Sequence, residues 1–180
     1  MGDVVKQRGI VLWITGLPCS GKTSIAEASY YRLKKEHLHS HVLDGDVIRR
    51  GLSADLNFTE NGRQENTRRV SEVSKLFTEA GLITLVALIS PFRKDRDKVR
   101  NILKPDQFVE IYLDCPIEVC QERDVKGMYK KARAGEIKYF TGVSSPYEPP
   151  IKPEIRLQTH KLNIEECVDV ICEYLAKASL

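Results

Sequence analysis

The sequence predicts an α/β fold in which helices cover both faces of a parallel sheet. Apolar segments of strand length alternate along the chain with segments of helical periodicity, beginning with residues 10–15 and 22–36. This alternation is typical of parallel strands joined by right-handed helical crossovers, with ligands at the carboxyl ends of the strands. Four of the predicted strands end at residues suited to such a site: Gly16, Asp44, Ser90 and Asp114.

The segment between the first strand and the first helix reads GLPCSGKT and fills the template G-x-x-x-x-G-K-[ST] of a phosphate-binding P-loop. Its glycines let successive backbone N–H groups point into one concavity, and the following helix adds its positive end. Lys22 can then reach the β and γ phosphates of a nucleoside triphosphate, while Thr23 offers a hydroxyl to Mg²⁺. A glycine-rich turn that binds nothing is the weaker alternative, because an eight-residue pattern in this context is strict. The predicted nucleotide-binding residues are Gly16, Leu17, Pro18, Cys19, Ser20, Gly21, Lys22, Thr23 and Ser24.

The P-loop narrows the fold class to a three-layer P-loop NTPase-type sheet. The 180 residues, with 42% hydrophobic and 29% charged side chains, are expected to form one soluble domain over residues 1–180. No apolar run approaches the roughly 18 residues of a membrane span, and no signal peptide is evident, so we expect a cytoplasmic protein. The five cysteines include no C-x-x-C pair and are expected to be reduced thiols. A net charge of +3 is modest for a nucleic-acid binder.

The later elements follow the same alternation. Residues 41–43 form a short strand that leads to Asp44 and Asp46, and residues 63–80 have clear helical periodicity. The apolar run 82–89 is expected in the middle of the sheet. The remaining predicted elements are a short helix at 47–51, a solvated helix at 92–101 with Arg93, Arg96 and Arg100 on its surface, a strand at 109–113, a helix opened by Pro116, a strand at 155–157 and a helix at 164–178.

Three alternating histidines, His37, His39 and His41, could be read as a metal site. Exposed histidines near a helix C-terminus need no metal, and this second interpretation is favoured.

A basic segment lies between residues 123 and 150. It is rich in lysine and arginine, with glycines at 127, 135 and 142 that can act as hinges. Beyond a strand end in a nucleotide-binding fold, such a segment predicts a lid over polyanionic substrates. A merely solvated basic loop is the alternative. The residues that make the segment basic are Lys126, Lys130, Lys131, Arg133 and Lys138.

The class of P-loop protein can be narrowed further. The chain has no Asn-Lys-x-Asp motif, which a GTPase needs to recognise guanine, and it is short for a motor or helicase ATPase. A short chain with a basic lid favours a small-molecule kinase, whose catalysis is mostly positioning and charge neutralisation.

Several motifs then give a specific resemblance. They are DGDVIR at 44–49, RQENTRR at 63–69, ISPFR at 89–93, RDVKGMYKKAR at 123–133 and GEIKYFTG at 135–142. With the P-loop they cover about residues 10 to 160, and the chain resembles the adenylyl-sulfate kinase (APS kinase) family. The resemblance implies ATP-dependent phosphorylation of the 3′-hydroxyl of adenosine 5′-phosphosulfate (APS) to 3′-phosphoadenosine 5′-phosphosulfate (PAPS), in sulfate activation. It also implies Mg²⁺ and a homodimer, with no nucleic-acid or membrane partner.

The resemblance implies roles for individual residues. Lys22, Asp44 and Ser90 match catalytic positions, with Thr23 and Asp44 at the metal. Asp44 is compatible with a base or with Mg²⁺ coordination. Ser90 matches a position labelled as a phosphoserine intermediate, but no adjacent base is evident, so direct in-line transfer with Ser90 as a substrate contact is favoured. The implied substrate residues are Asp46, Arg49, Phe58, Arg63, Asn66, Ile89, Ser90, Lys126, Tyr139 and Phe140, with Phe58 and Phe140 sandwiching the adenine of APS.

Some residues depart from the family pattern. Pro18 and Cys19 replace small residues, Asn57 and Tyr139 each replace a glycine, and Gly62 replaces an acid. These departures bear on lid closure and on the shape of the adenine pocket. Cys19 admits two predictions: a thiol activated by the helix N-terminus and Lys22, or a side chain that packs into the protein and is unreactive.

Two other functions remain as alternatives. One is a different small P-loop kinase, acting on a nucleoside monophosphate or a small alcohol. The other is a nucleotide-dependent module that uses the basic lid to bind nucleic acid.

Overall fold

The computed structural model describes residues 7–178, and its centre is a sheet of five parallel strands. The strand order is β2-β3-β1-β4-β5, so β1 and its P-loop lie in the middle. This sheet confirms the predicted α/β fold, and β3 lies inside the sheet as its apolar sequence predicts. The strands are β1 (Ile10–Gly16), β2 (Ser40–Asp44), β3 (Ile83–Ala87), β4 (Phe108–Leu113) and β5 (Ile155–Leu157).

Helices connect the strands and cover both faces of the sheet. They are α1 (Lys22–Lys35), α2 (Gly45–Ile48), α3 (Glu60–Glu79), α4 (Arg93–Ile102), α5 (Ile117–Glu122), α6 (Met128–Arg133) and α7 (Ile164–Lys177). None of these helices, in the part of the chain that the structure describes, is long and apolar enough to span a membrane.

The two faces of β1 support two separate cores, because successive side chains of a strand point to opposite sides. Leu12 and its alternate neighbours pack with α1 and α7, whereas Val11 and Trp13 pack with α3 and α4. All seven residues of β1 are buried. A central strand without a polar side chain facing solvent is what the continuous apolar run 10–14 predicts.

The register of the strands brings the predicted site residues to one edge. Gly16 of β1 pairs with Leu113 of β4, and Asp44 of β2 pairs with Ala87 of β3. Ser90 follows three residues after Ala87. The carboxyl ends of four strands therefore converge around the P-loop.

Helix α3 begins earlier than predicted, at Glu60 rather than at residue 63. Thr59 is the N-cap, and its hydroxyl accepts a hydrogen bond from the Gly62 backbone N–H at 3.2 Å. The polar residues before Arg63 hide this start in the sequence, because they lack an apolar periodicity.

The expected surface position of Arg96 is wrong. Its side chain is 2% exposed, and its Nε donates to Oε1 of Glu110 at 2.7 Å. Arg96 shares the buried face of α4 with Phe92 and Val99, to which it is related by helical spacing. Arg93 is exposed as expected, and Arg100 is half-buried.

Helix α7 begins with a capping box. The Asn163 side chain accepts from the Glu166 N–H at 2.9 Å, and Glu166 Oε2 accepts from the Asn163 N–H at 2.8 Å. We expect Asn163→Ala to lower the free energy of unfolding by about 1 kcal/mol, because an orphan N–H loses its partner. Urea unfolding measures this change, with Lys161→Ala as an exposed control outside the box. Equal stability of the two variants would contradict the role given to the box.

Candidate active site

A cavity of about 400 Å³ lies at the carboxyl edge of the sheet, between the P-loop and the lid segment. Its size is within the range of small-molecule sites. The cavity walls come from the P-loop, α2, the start of α3, the turn after β3 and residues 124–141. The structure brings all ten implied substrate residues to this cavity, together with Lys22, Thr23 and Asp44. Gly16, Leu17, Ser20, Gly21 and Ser24 lie outside its lining.

The P-loop holds the ammonium group of Lys22 within its own curve. Nζ donates to the carbonyl oxygens of Leu17 at 2.6 Å and Gly16 at 3.1 Å. Burial lowers the pKa of Lys22 to about 8. Gly16 is needed for this curvature, because a Cβ there would lie 2.7 Å from Ser20 Oγ. The cradle therefore places a cation where the phosphates of a nucleotide would enter.

Thr23 and Asp44 meet at the mouth of the P-loop. The Thr23 hydroxyl donates to Asp44 Oδ2 at 2.7 Å. Asp44 Oδ1 caps α2 by accepting from the N–H groups of Asp46 at 2.8 Å and Val47 at 3.4 Å. A hydroxyl and a carboxylate oxygen are ligands that suit Mg²⁺.

Residues 7–178 contain no group of three or more His, Cys, Asp or Glu arranged to hold a metal. A cation at Thr23 and Asp44 would therefore depend on nucleotide phosphates for its other ligands, as Mg²⁺ commonly does. The histidines that raised the question of a metal site have other surroundings. The ring of His41 packs edge-on against Phe77, with ring centroids 5.4 Å apart, and the backbone of His39 pairs with the Gln7 amide.

Two arginines of the cavity wall, Arg49 and Arg63, donate hydrogen bonds to backbone carbonyls of the surrounding loops. Arg63, which is 8% exposed, donates from Nε to Phe58 O at 3.0 Å and from Nη2 to Tyr139 O at 2.8 Å. Burial, together with the nearby charge of Arg49, lowers the pKa of Arg63 to about 10. Arg49 donates to the carbonyls of Leu56 and Asn57 and lies 4.3 Å from the centroid of the Phe58 ring. These arginines fix the loop before α3 and tie it to the lid.

The two implied adenine-stacking rings have different surroundings. Phe58 is 53% exposed at the cavity wall. Phe140 is only 9% exposed and packs edge-on against Tyr129, with ring centroids 4.9 Å apart. Phe58 thus has exposed surface that a ligand can contact, whereas Phe140 is also part of the small core beneath the lid.

The departures from the family pattern have local structural causes. Tyr139 has a φ of 57°, a left-handed conformation that a glycine adopts without strain. Asn57 and Gly62 are coupled, because a Cβ on Gly62 would lie 2.4 Å from the Asn57 carbonyl oxygen. The Asn57 side chain accepts from the N–H and hydroxyl of Thr59 at the start of α3. An acid at position 62 would exclude this arrangement.

The surroundings of Cys19 match the prediction of a side chain that packs into the protein. Its side chain packs against the small core of Tyr129 and Phe140, with Sγ 4.0 Å from Asp124 Oδ1. Burial, together with the charge of Asp124, raises the pKa of the thiol despite the opposing effect of Lys22. The structure therefore favours an unreactive packing residue.

Two cavity residues carry buried polar atoms without a partner. Asn66 Oδ1 and Thr141 Oγ1 have no hydrogen-bond partner within the described part of the chain. Both side chains are buried, and both residues line the cavity. Buried polar atoms are rarely left unpaired, so a ligand is the natural partner for these two.

Sequence reasoning missed Thr141 and also the contacts that fasten the lid. Asp124 Oδ2 accepts from the Tyr129 N–H at 2.7 Å, and the Tyr129 hydroxyl donates to the Pro18 carbonyl at 3.0 Å. These bonds join the lid to the P-loop. Asp124 precedes Gly127 and the short helix α6, and an acid before a helix start is the signal that could have indicated its capping role.

Ser90 lies in a strained and buried turn after β3. Its φ is 36°, and it is 5% exposed. Its hydroxyl accepts from Trp13 Nε1 at 3.0 Å and donates to Leu88 O at 3.4 Å. Within residues 7–178, no acid or histidine forms a hydrogen bond with this hydroxyl.

Comparison with known proteins gives concordant matches. The family model described as adenylylsulphate kinase matches residues 8–158. The adenylyl-sulfate kinase of Clostridium acetobutylicum is 56% identical over 172 residues, 96% of this chain and 86% of that protein. The probable adenylyl-sulfate kinase of Halalkalibacterium halodurans is 54% identical over 168 residues, 93% of this chain and 83% of that one. The structure of the Mycobacterium tuberculosis APS kinase in complex with AMPPNP and APS superposes with a TM-score of 0.90 at 41% identity, covering 94% of this chain and 99% of that one.

The unequal burial of the two phenylalanines predicts unequal effects of their removal. Phe58→Ala should weaken binding of an adenine-containing acceptor by about 1 to 3 kcal/mol, the range for base stacking, without changing Tm. Phe140→Ala should weaken the same binding and also lower the free energy of unfolding by about 3 kcal/mol, because it empties a buried site. Titration calorimetry and thermal unfolding separate the two effects. Equal losses of Tm would show that Phe58 is also structural.

Proposed function

Because this chain belongs to the adenylylsulphate kinase family, we propose that its cavity brings the 3′-hydroxyl of APS to the γ-phosphate of ATP at the P-loop. The chain is an APS kinase, which forms PAPS from APS and ATP in sulfate activation. The observation that carries the proposed site is the convergence of Lys22, Asp44 and all ten implied substrate residues on one cavity.

ATP occupies the P-loop side in this proposal. The backbone N–H groups of residues 16–24 surround the β and γ phosphates, and the helix dipole of α1 adds to their attraction. Lys22 moves its ammonium group from the carbonyls of Gly16 and Leu17 to the phosphates. Negative charge there offsets the desolvation that lowers its pKa to about 8.

Thr23 and Asp44 would hold Mg²⁺ between them. When bound, the ion neutralises charge on the β and γ phosphates. The 2.7 Å contact between the Thr23 hydroxyl and Asp44 Oδ2 supports this assignment, because it places two oxygen ligands side by side. Asp44 Oδ1 is engaged in capping α2, so Oδ2 is the oxygen available to a metal or to the proton of the attacking hydroxyl. We propose that Asp44 is a metal ligand, with the role of a base as the alternative.

APS occupies the lid side. Its adenine lies between Phe58 and Phe140, beside Tyr139, and its anionic groups face Arg49, Arg63 and Lys126. Asn66 Oδ1, which has no partner within residues 7–178, supports a direct polar contact with the substrate. The remaining proposed contacts are Asp46, Ile89 and Ser90.

Ser90 serves in this proposal as a substrate contact in a direct in-line transfer. An activated serine nucleophile needs an adjacent base. The Ser90 hydroxyl contacts only the Trp13 N–H and the Leu88 carbonyl among the hydrogen bonds of the described residues. These partners can orient the hydroxyl but cannot take its proton.

Residues 1–180 would form one kinase domain. The resemblance to the family implies a homodimer, which light scattering in solution would test. All five cysteines are free thiols, which supports the reducing cytoplasm as the location.

A coupled ADP-release assay tests the proposed site against both alternatives. APS, AMP and single-stranded RNA are offered in parallel, with ATP and Mg²⁺. We expect turnover with APS and not with AMP or RNA. Stimulation by AMP rather than APS would indicate another small-molecule kinase, and stimulation by RNA would indicate a nucleic-acid-binding module.

Lys22→Ala should lower kcat by about 10²-fold or more, because the variant lacks the ammonium group that stabilises negative charge on the transferred phosphoryl group. Tm should change little, since the hydrogen bonds of Nζ within residues 7–178 all go to its own loop. Lys34→Ala, an exposed lysine in the same helix, is the control. Wild-type turnover by Lys22→Ala would overturn the assignment of the ATP site.

Asp44→Asn should lower kcat by about 10²-fold or more in either of its proposed roles. The two roles differ in their response to Mg²⁺. If Asp44 is a metal ligand, raising the Mg²⁺ concentration should restore part of the activity; a base would show no such rescue. Steady-state kinetics across a Mg²⁺ series measures this, with Asp46→Asn as the neighbouring comparison. A change confined to the KM for APS would make Asp44 a binding residue instead.

A further inference from the structure

Arg96 makes three hydrogen bonds in three directions from a buried position. Nε donates to Glu110 Oε1 at 2.7 Å, Nη1 to the Ser90 carbonyl at 2.6 Å and Nη2 to the Glu148 carbonyl at 2.7 Å. Only 2% of the residue is exposed, so its charge is compensated by these partners rather than by water. A planar guanidinium can serve all three at once, which a lysine ammonium at one point cannot.

The bond to Ser90 holds a strained residue. Ser90 has a φ of 36°, and a non-glycine residue in the left-handed region is sterically strained. Such a conformation persists only where its surroundings fix it. Arg96 holds the Ser90 carbonyl, and Trp13 of β1 holds its hydroxyl.

A second group of contacts fastens this turn to residues 147–149, which we name the strap. The Glu148 N–H donates to Pro91 O at 2.8 Å, and the Glu148 carboxylate accepts from the Arg93 N–H at 2.7 Å. The Tyr147 hydroxyl lies 3.0 Å from Thr15 Oγ1. Because the Thr15 hydroxyl already donates to Ile89 O at 2.7 Å, Tyr147 is the donor in that pair.

The strap is the C-terminal end of the lid segment. The lid's last ordered turn closes with the bond from the Gly142 N–H to Ser145 O, two residues before the strap begins. Arg96 therefore joins the C-terminal end of the lid to the turn that carries Ser90. It does so from behind the cavity, since Arg96 is not among the residues that line it.

We propose that Arg96 is a positioning residue for the kinase reaction, which holds the Ser90 turn in its left-handed conformation and ties it to the strap. This inference rests on the proposed contact between Ser90 and APS. Loss of Arg96 then affects APS, whose side of the cavity contains Ser90. It does not affect ATP, whose P-loop has no contact with Arg96.

Arg96→Lys is the principal variant, because it keeps the buried positive charge beside Glu110 and removes the planar guanidinium that reaches three partners at once. Arg100→Lys is the matched control. Arg100 lies one turn further along α4, in the same ion-pair network with Glu110 and Glu154, and makes no bond to the Ser90 turn. We expect Arg96→Lys to raise the KM for APS about tenfold or more and to change the KM for ATP less than about twofold. The control should leave both values near wild type.

Trp13 supplies a spectroscopic readout, since it is the single tryptophan of the chain and its Nε1 contacts Ser90 Oγ. Ser90→Ala removes this bond and sets the reference shift in tryptophan emission. We expect Arg96→Lys to shift the emission in the same direction, because the turn relaxes away from Trp13, whereas Arg100→Lys should not. Wild-type emission and a wild-type KM for APS in Arg96→Lys would overturn the inference.

A double-mutant cycle separates this inference from the proposed function. If Arg96 acts through the Ser90 turn, the KM for APS of the double variant Arg96→Lys with Ser90→Ala should differ from that of Ser90→Ala by less than about twofold. A full additional tenfold effect would show that Arg96 acts elsewhere and would overturn the inference alone. A wild-type KM for APS in Ser90→Ala would instead refute the proposed Ser90 contact. If Arg96→Lys fails to fold, the charge-balanced pair Arg96→Met with Glu110→Met takes its place in the cycle, and the same outcomes apply.

Discussion

The parallel pairing of β1 with β3 on one side and β4 on the other is the constraint on which the site depends. Parallel strands end at the same edge, so the loop after β1 necessarily meets the segments that follow the neighbouring strands. The paired positions Gly16 with Leu113 and Ile14 with Ala87 set how far each segment reaches. The P-loop, the Ser90 turn and the base of the lid are close together for this reason, and local chemistry then decides what each contributes.

The arginines in and behind the cavity differ in how their positive charges are compensated. Arg96 is buried with a carboxylate partner, Glu110, and is electrically compensated. Within residues 7–178, Arg49 and Arg63 make no ion pair, and their donors are held by carbonyl oxygens instead. Burial and the nearby charge of Arg49 lower the pKa of Arg63 to about 10, as expected for a buried cation that has no carboxylate partner. An anionic substrate would supply such a partner, so this arrangement favours binding of APS.

Much of the fold and of the site could be predicted from the sequence, because the strands are continuous apolar runs and the P-loop has a strict template. The errors came where a polar side chain serves a structural purpose. Arg96 was expected on the surface because charge usually indicates solvent, although its spacing from Phe92 and Val99 places it on the buried face of α4. The start of α3 was missed because its cap at Thr59 depends on side-chain hydrogen bonds rather than on apolar periodicity. The coupling of Asn57 to Gly62 depends on a close approach of two backbones, which no local pattern reports.

Backbone strain is concentrated at this cavity. Of the four described non-glycine residues with a positive φ, three line it: Cys19, Ser90 and Tyr139. Ser90 and Tyr139 are stabilised in the same way, by a hydrogen bond from a buried arginine to the backbone carbonyl. Arg96 donates to Ser90 O at 2.6 Å, and Arg63 donates to Tyr139 O at 2.8 Å. A left-handed residue costs about 1 to 2 kcal/mol, and a hydrogen bond from a charged donor contributes about 1.5 to 3 kcal/mol, so one such bond is enough to offset the strain. The two arginines thus allow side chains at positions where the backbone conformation favours glycine, and the cavity gains a hydroxyl and an aromatic ring that glycine could not supply.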